Sequence, residues 1–513
     1  MLEFRGRRLW WRVRSASRSW CPRWVVTFQV VFALLVGTAA RAEDWPQFRG
    51  PNSSGVAVGA GRLPVEFSAT ENVRWSASVG DGVGCPVVAA GRVFVSGMLE
   101  EETLALMAFD AASGKRLWRR TWDVSGVAET HKTNSHASTT PAADDRRVYF
   151  YSSRLGMLAL DAATGEDVWR AKLPEPFFVF KWGPAMSPVL YNDLVLFCQD
   201  DDLHPAIYAF DKSTGAVLWK DDRRDMAVNY SHPVVCRTPR GDEIVVAGTG
   251  MLIGYDPATG KRLWYAKVLL RNIKTTPVSV DGVVYVSLQS AGIANQWLAT
   301  ADRGDTGNND GKLTKAEMQA FVGKAQIPEA FYRRTFDRGD MNKDGVLEGR
   351  ELDLAFLHPD NFAGARFDVA DSADEYVLAV RGGGRGDVTK THLLWKHKTR
   401  HTDHVVSPLV AGGRMLLVKS GGIMTVFDTA DGTPRGKPRR IPNASNYFAS
   451  PVLGDGKIYI AAENGKVIVL ADAPDYKLLA ENDVGDDIIG TPAISRGRLY
   501  LRTRAKLVCL GLE

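Results

Sequence analysis

Ala209-Phe210-Asp211-Lys212-Ser213-Thr214-Gly215-Ala216-Val217-Leu218-Trp219 is one copy of a phrase that recurs through the chain. Ala108-Phe109-Asp110 leads through Ser113-Gly114 to Trp118, Ala159-Leu160-Asp161 through Thr164-Gly165 to Trp169, and Gly254-Tyr255-Asp256 through Thr259-Gly260 to Trp264. The aspartate is suited to accept backbone N–H groups across a tight turn, and the glycine supplies positive φ. The tryptophan falls on the next strand, where its ring can pack between repeats. Each unit opens on a proline, usually after Ser or Thr: Pro86, Pro141, Pro188, Pro233, Pro277, Pro408, Pro451 and Pro492. Their spacings are 55, 47, 45, 44, 131, 43 and 41 residues. A period near 44 with four short apolar strands per unit predicts an all-β, eight-bladed β-propeller. The last unit runs out of chain without a Trp strand, and Asn72-Val73-Arg74-Trp75-Ser76-Ala77 supplies one, so the N-terminal strand is expected to close the ring.

The net charge of +5 is concentrated at the start of the chain. Residues 1–42 carry eight Arg and one acid, and the remainder holds 56 basic against 58 acidic residues. A near-neutral mature chain gives no support for a nucleic-acid partner. A basic stretch, an apolar run from Trp24 to Val36 and the small-x-small site Ala40-Arg41-Ala42 predict a signal peptide over 1–42, and so export to the periplasm or the extracellular space. No later segment is apolar enough to span a bilayer, so no membrane span is expected after cleavage. Cys85, Cys198, Cys236 and Cys509 are dispersed, and buried thiols are the expectation.

The repeating phrase resembles the pyrroloquinoline-quinone (PQQ)-like repeat of quinoprotein dehydrogenases and of the outer-membrane assembly factor BamB. The resemblance covers nearly all of residues 72–513 outside an insertion. The opener Asp44-Trp45-Pro46-Gln47-Phe48-Arg49-Gly50-Pro51 is similar to the start of many exported bacterial members, and Gly382-Gly383-Gly384-Arg385-Gly386-Asp387 and Ser450-Pro451-Val452 are similar to their internal segments. It implies either PQQ-dependent oxidation or an assembly role. Quinoprotein dehydrogenases carry an adjacent cysteine pair beneath the cofactor, which this chain lacks, so PQQ is possible but not favoured.

The 131-residue gap exceeds one blade by about 87 residues. The domains expected are therefore 43–71 as an N-terminal extension, 72–295 as blades 1 to 5 in part, 296–375 as a small α-helical insertion in blade 5, and 376–513 as the rest of the propeller. Inside the insertion, Asp340-Met341-Asn342-Lys343-Asp344-Gly345-Val346-Leu347-Glu348-Gly349-Arg350-Glu351 fits an EF-hand loop. Asp340, Asn342 and Asp344 offer side-chain oxygens, Val346 its carbonyl, and Glu351 a bidentate carboxylate. Ca²⁺ takes about six to eight hard oxygens, which this spacing gathers around one point. Phe331, Phe336, Leu352 and Phe356 suit the packing faces of flanking helices. A second loop lies 34 residues upstream, with Asn308, Asp310, Lys312 (by its carbonyl) and Glu317 in matching places. Thr306 stands where the first aspartate belongs, and Asp305 is the substitute if the loop bulges.

The segments entering each innermost strand precede the opening prolines and are polar and rich in His. They contain His131, Asn134 and His136; Lys181 and Trp182; Asn229, Tyr230 and His232; Lys274; His401, Asp403 and His404; Asn446 and Tyr447; Asp486 and Asp487. Repeat symmetry is expected to gather them at one mouth of the central channel, as a site for an unidentified ligand or protein partner. His401 and His404 have a spacing open to a transition metal. Asp200-Asp201-Asp202 reads as a solvated loop. No nucleophile elbow, phosphate-cradling loop or HExxH motif occurs. The leading expectation is an exported, calcium-binding, non-catalytic binding or scaffold propeller; the alternatives are a PQQ-dependent oxidoreductase and a BamB-like assembly factor.

Overall fold

The aspartate of each phrase folds its own turn. Asp211 Oδ1 accepts the N–H groups of Ser213 and Thr214, both at 2.9 Å, and Asp161 Oδ1 those of Ala163 and Thr164. These bonds hold both carboxyls below the usual range: hydrogen bonds from Ser213 lead at Asp211, and the Thr164 N–H leads at Asp161. The glycine that follows is needed twice over. Gly165 has φ +74°, and a Cβ there would lie 2.7 Å from the Trp118 ring of the preceding blade. The same seat recurs for Trp75 on Gly114, Trp169 on Gly215, Trp219 on Gly260 and Trp395 on Gly432. Each ring also donates its Nε1–H to the carbonyl of the residue just past the neighbouring aspartate, at 2.8–3.1 Å: Ala111, Ala162, Lys212, Pro257 and Thr429.

In the computed structural model, residues 44–178, 182–223, 229–248, 250–268, 274–289, 301–324, 375–400, 402–403 and 405–513 are described, with 333, 336, 337, 339–349, 351, 352 and 355 of the insertion. The signal peptide, Lys181, Phe331, Phe356, His401 and His404 lie outside the described residues. The chain forms an eight-bladed β-propeller. The innermost strands are Val87–Ala89, Ala142–Ala143, Val189–Tyr191, Val234–Thr238, Val278–Val280, Leu409–Ala411, Val452–Gly454 and Ala493–Ser495, for blades 1 to 8. Blade 8 is completed from the other end of the chain: Val73–Ser78 pairs antiparallel with Lys506–Gly511, Trp75 opposite Cys509. Apolar clusters bridge successive blades all the way round. Leu106 packs with Phe150, Tyr151 with Phe197, Leu196 with Val246, Val245 with Val286, Ala379 with Leu417, and Val418 with Ile460. A last cluster joins Tyr459, Leu501 and Val95, which closes the ring.

Blade 4 departs from the pattern. The third and fourth strands of blade 5 are joined through Gly382–Asp387 instead of an Asp-x-x-Thr-Gly turn, so Trp264 has no neighbouring glycine seat. Its Nε1 donates to Glu243 within its own blade at 2.7 Å, and Gly254 makes room for the ring. Gly386–Asp387 then pairs parallel with Trp264 and Tyr265, adding a fifth strand that covers the blade's outer edge.

The Ser or Thr before each proline also has a structural use. The backbone N–H of Cys85 donates to Thr140 Oγ1, that of Thr140 to Ser187 Oγ, Thr276 to Ser407 Oγ, Ser407 to Ser450 Oγ, Ser450 to Thr491 Oγ1, and Thr491 to Cys85 Sγ, at 2.9–3.0 Å. This chain of bonds lines the channel from blade to blade. His232 stands in the corresponding place in blade 4.

Two strands of blade 5, Val283–Gln289 and Glu375–Arg381, pair directly, Val283 opposite Arg381 and Gln289 opposite Glu375. The insertion therefore replaces the loop between second and third strands, which lies on the same face as the segments entering the inner strands. Its buried Leu313, Met318, Phe336, Leu347 and Leu352 form a core of their own, packed against Phe177 and Leu203 from the blade 3 side. The loop beneath is not solvated as its three aspartates suggest. Asp200 is fully buried against Arg223, with two contacts of 2.8 Å, and Asp201 accepts the N–H groups of Phe177 and His204. Asp202 is buried too. Burial favours such an arrangement only when each charge is paired or hydrogen-bonded.

Candidate functional site

The opener Asp44 to Pro51 becomes part of the floor of the channel. Residues 45–57 cross it and touch six blades, in five cases two residues past the opening proline. Trp45 exchanges backbone bonds with Val88, Pro46 O accepts from Ala143, Gln47 Oε1 from Leu190, Asn52 brackets Val235, and Gly55 and Ala57 bond Leu453. Arg49 Nη2 donates to Pro408 O at 2.5 Å. Trp45 and Arg49 are wholly buried. Burial pushes the Arg49 guanidinium down to about 9.

Above this floor is a cavity of about 410 Å³, lined by Phe48, Val83, Cys85, His131, Thr133, Asn134, Thr140, Trp182, Ala185, Ser187, Tyr230, His232, Lys274, Val405, Phe448 and Thr491 among others. The size and mostly apolar lining with a few convergent polar groups suit a small-ligand site. Lys274 Nζ sits 4.0 Å from the Trp182 ring centroid, a cation–π contact. Burial pushes the Lys274 ammonium down to about 8, against the opposing pull of Asp403. His232 stacks on Phe48 at 4.6 Å and holds Thr276 Oγ1 through Nδ1 at 3.0 Å. Its Nε2 is buried with no partner among the described residues. Burial, reinforced by the Arg49 charge, brings this imidazole down to about 4.

Of the residues expected at the mouth, the structure brings His131, Asn134, Trp182, Tyr230, His232 and Lys274 to this cavity. Asn134 anchors the rim by donating to Trp182 O at 2.7 Å. His136 lies in a neighbouring cleft with Asp81, Glu100 and Arg504. The other described ones bond to neighbouring loops. Asn229 faces Asp200, Asp403 accepts from the Val405 and Ser420 N–H groups, Asn446 donates to Glu463, and Tyr447 to Asn443 O. Asp486 accepts the N–H of Asp487, whose own carbonyl accepts from Arg504. Phe48 and Phe448 were not expected. The first comes from a distant segment, and the second lies in an apolar position next to Tyr447.

The two acidic loops of the insertion are joined by Leu313–Thr314 and Val346–Leu347, paired antiparallel. They share one hydrogen-bond scheme. Asn342 Oδ1 accepts from Asp344 and Asn308 Oδ1 from Asp310; Glu351 accepts from Met341 and Asn342, and Glu317 from Asn308. Gly345 and Gly311 have φ +80° and +83°, as the turn requires. The start of the first loop corrects the expectation. Asp302, not Thr306 or Asp305, accepts the N–H groups of Asp310 and Gly311, as Asp340 accepts that of Gly345. Thr306 donates to Ala301 O, and Asp305 pairs with Lys324. Four extra residues loop out between Asp302 and Asn308, and Gly307 lets the backbone return, since a Cβ there would lie 1.9 Å from Asp302 O. Lys312 pairs with Glu348 at 2.5 Å, tying the loops together. Among the described residues no group of three His, Cys, Asp or Glu side chains is gathered as a metal centre. The donor set nonetheless suits a hard cation: Asp340 Oδ1 is buried without a partner, and the remaining carboxylates are held by loop N–H groups.

PQQ fits less well. Among the described residues no Asp or Glu lines the cavity and Lys274 is the one ammonium, so the described lining offers neither a carboxylate to hold calcium against the quinone nor cations to match its several carboxylates. Cys85 has no cysteine partner; all four described cysteines are free and buried. Among the described residues no helix is long and apolar enough to cross a membrane.

The family described as outer membrane protein assembly factor BamB matches residues 11–131 and 105–326. The chain is 23% identical over 418 residues to the outer membrane protein assembly factor BamB of Shewanella oneidensis, covering 79% of this chain and 90% of that one. It is 27% identical over 164 residues to the quinohemoprotein alcohol dehydrogenase ADH IIB of Pseudomonas putida, covering 30% of this chain and 24% of the enzyme. Among solved structures, BamB from Moraxella catarrhalis superposes with a TM-score of 0.50 at 12% identity, covering 86% of this chain and 98% of that chain, a likeness of fold.

Proposed function

Since the chain belongs to the family of the outer membrane protein assembly factor BamB, we propose that it is an exported, non-catalytic propeller that holds a partner at the mouth of its channel and carries Ca²⁺ in the inserted loop pair. The observation that carries this reading is the floored cavity, with polar groups open at its wall, lined by the segments on the face that also bears the insertion. The Cys85 thiol is pushed up by burial, and the imidazole of His232 is held near 4, far from the poise of a general base at neutral pH. Export is supported by the basic and apolar signal over residues 1–42 and by relatives named for the outer membrane.

Ca²⁺ would be held by Asp340, Asn342, Asp344, the Val346 carbonyl and Glu351, and in the first loop by Asp302, Asn308, Asp310, the Lys312 carbonyl and Glu317. The ion would supply positive charge that fixes these oxygens, and so the packing of the insertion on Phe177 and Leu203. That makes the calcium role one of holding part of the mouth face in place.

A photo-crosslinking residue at Thr133, on the rim, is expected to capture an envelope protein that the same residue at Leu478, on an outer strand, does not. Equal capture at both positions, or PQQ-dependent dye reduction by the purified chain, would overturn the reading.

A further inference from the structure

Seven blades place a hydroxyl or thiol before the opening proline, and six of these receive a neighbour's N–H in the bonds given above. Blade 4 places an imidazole there instead. His232 spends Nδ1 on Thr276 Oγ1 and leaves Nε2 buried without a partner among the described residues, the residue being only 7% exposed. A buried polar atom with no partner carries the desolvation cost of an unmade hydrogen bond, and such atoms mark places where a ligand completes the set. Two residues earlier in the same blade, Tyr230 stacks on Phe178 at 5.3 Å, and its hydroxyl is likewise buried and partnerless. Lys274 stands two residues before Thr276, the residue that His232 holds, so the ammonium and the imidazole come from the same sector of the wall. Among the described residues Lys274 makes no hydrogen bond or ion pair; its near contact is the face of Trp182. Among the described residues no acid lines the cavity, and its apolar wall includes Phe48, Val83, Val405, Phe448 and Ile489.

A cation without an ion-pair partner among the described residues and an open ring nitrogen, both on the wall of one mostly apolar chamber, select for charge and body together. We propose that this chamber binds an apolar carboxylate, with an aromatic or branched body against Phe48, Trp182 and Phe448 and the carboxylate taken by Lys274 and His232. The inference rests on the mouth being the binding end of the propeller, and adds the chemistry it reads. The depressed ammonium of Lys274 agrees with it, because a bound anion would relieve that depression. The same carboxylate could be carried by a free small acid or by the C-terminal residue of a partner chain.

Calorimetry on the full mature chain with calcium present separates these cases. The probes are 3-phenylpropionate, its amide, and a pentapeptide ending in Leu as free acid and as amide. The acids are expected to bind at least about tenfold more tightly than the matching amides. Lys274→Met should erase that preference, Lys274→Arg should keep it, and His232→Ser, which restores the ring hydroxyl, should weaken the acids several-fold in a chain that still unfolds cooperatively. Tighter binding of the small acid assigns a free metabolite as the source; tighter binding of the peptide acid assigns a chain terminus. Equal binding of acids and amides by the unaltered protein, no binding of either acid at millimolar concentration, or an acid preference that survives Lys274→Met in a folded variant overturns the proposal. If Thr133 still captures its partner while no acid binds, this inference falls and the mouth-binding reading stands.

Discussion

Replacing Gly165 with Ala tests the physical reason for the repeat. Two costs are expected at this position. The backbone sits at φ +74°, which disfavours any residue with a Cβ by about 1–2 kcal/mol. The added methyl would also lie 2.7 Å from Trp118 Cδ2, and overpacking of this kind costs about 1–3 kcal/mol. Gly91 isolates the first cost, because its φ is +75° and a Cβ there meets no atom within 4 Å. Gly165→Ala should therefore destabilise more than Gly91→Ala, by about 1–3 kcal/mol. The double-mutant cycle with Trp118→Ala sharpens the comparison. The single Trp118 change should cost about 3–5 kcal/mol, since the ring is nearly buried and gives up its 3.1 Å bond to Ala162 O. In that background Gly165→Ala should retain only its backbone cost, so the coupling should be about 1–3 kcal/mol. Urea denaturation followed by far-UV circular dichroism, with slopes compared between variants, measures all four corners. If Gly165→Ala and Gly91→Ala cost the same, or the cost at Gly165 persists without the Trp118 ring, the glycine is not a seat for the neighbouring blade and the account of blade-to-blade docking is wrong.

Three further outcomes are expected. Calcium titration of the full chain should find two sites; Glu351→Gln should remove one, and Asp302→Asn should weaken the other where Thr306→Val leaves it unchanged, an order that reverses if Thr306 begins the loop. Because the folded His232 titrates near 4 and the unfolded residue near 6.5, the unfolded chain binds the extra proton between those values. This contribution to stability is full above pH 6.5 and is lost on acidification towards pH 4, by about 3 kcal/mol in all; thermal melts of His232→Ser should show a shallower pH dependence over that window, and an unchanged slope would remove the argument. Trp45→Ala, at a side chain only 1% exposed, should cost about 3–5 kcal/mol and loosen the floor, read as accelerated hydrogen exchange at Val88 and Ala143; protection equal to that of the unaltered chain would show that the segment does not depend on this anchor.

What was legible in the sequence was what physics repeats. Asp, Gly and Trp each meet a demand that recurs in blade after blade, so their spacing exposed the architecture, and the proline period exposed the number of blades and the closing strand. Single events left weaker traces. The Ser or Thr before each proline was visible, but its N–H-to-hydroxyl relay appears only once the blades stand in a ring. Asp44 to Pro51 was recognisable as an opener, yet its partners are Val88, Ala143, Leu190, Val235, Pro408 and Leu453, scattered over most of the chain. Asp302 escaped a fixed loop spacing because four residues loop out after it; the available signal was the paired Asp302 and Gly307. At the mouth, polarity alone could not separate His131, His232 and Lys274, which face the cavity, from Asn229, Asp403 and Asn446, which complete hydrogen bonds in neighbouring loops. The buried Asp200–Arg223 pair shows the same limit from the other side, since a run of aspartates usually marks water.

Closure by Val73 to Ser78 has a kinetic side. This strand leaves the ribosome early, yet the edge it needs, Lys506 to Gly511, is made much later. Until then the hairpin of Arg498 to Gly511 has no outer neighbour, Trp75 has no strand to share, and the floor segment has no finished bore to cross. Early blades can form during synthesis, but the circle can latch only once Lys506 to Gly511 has emerged. A chain that stays open until then stays threadable, which agrees with the export proposed for it.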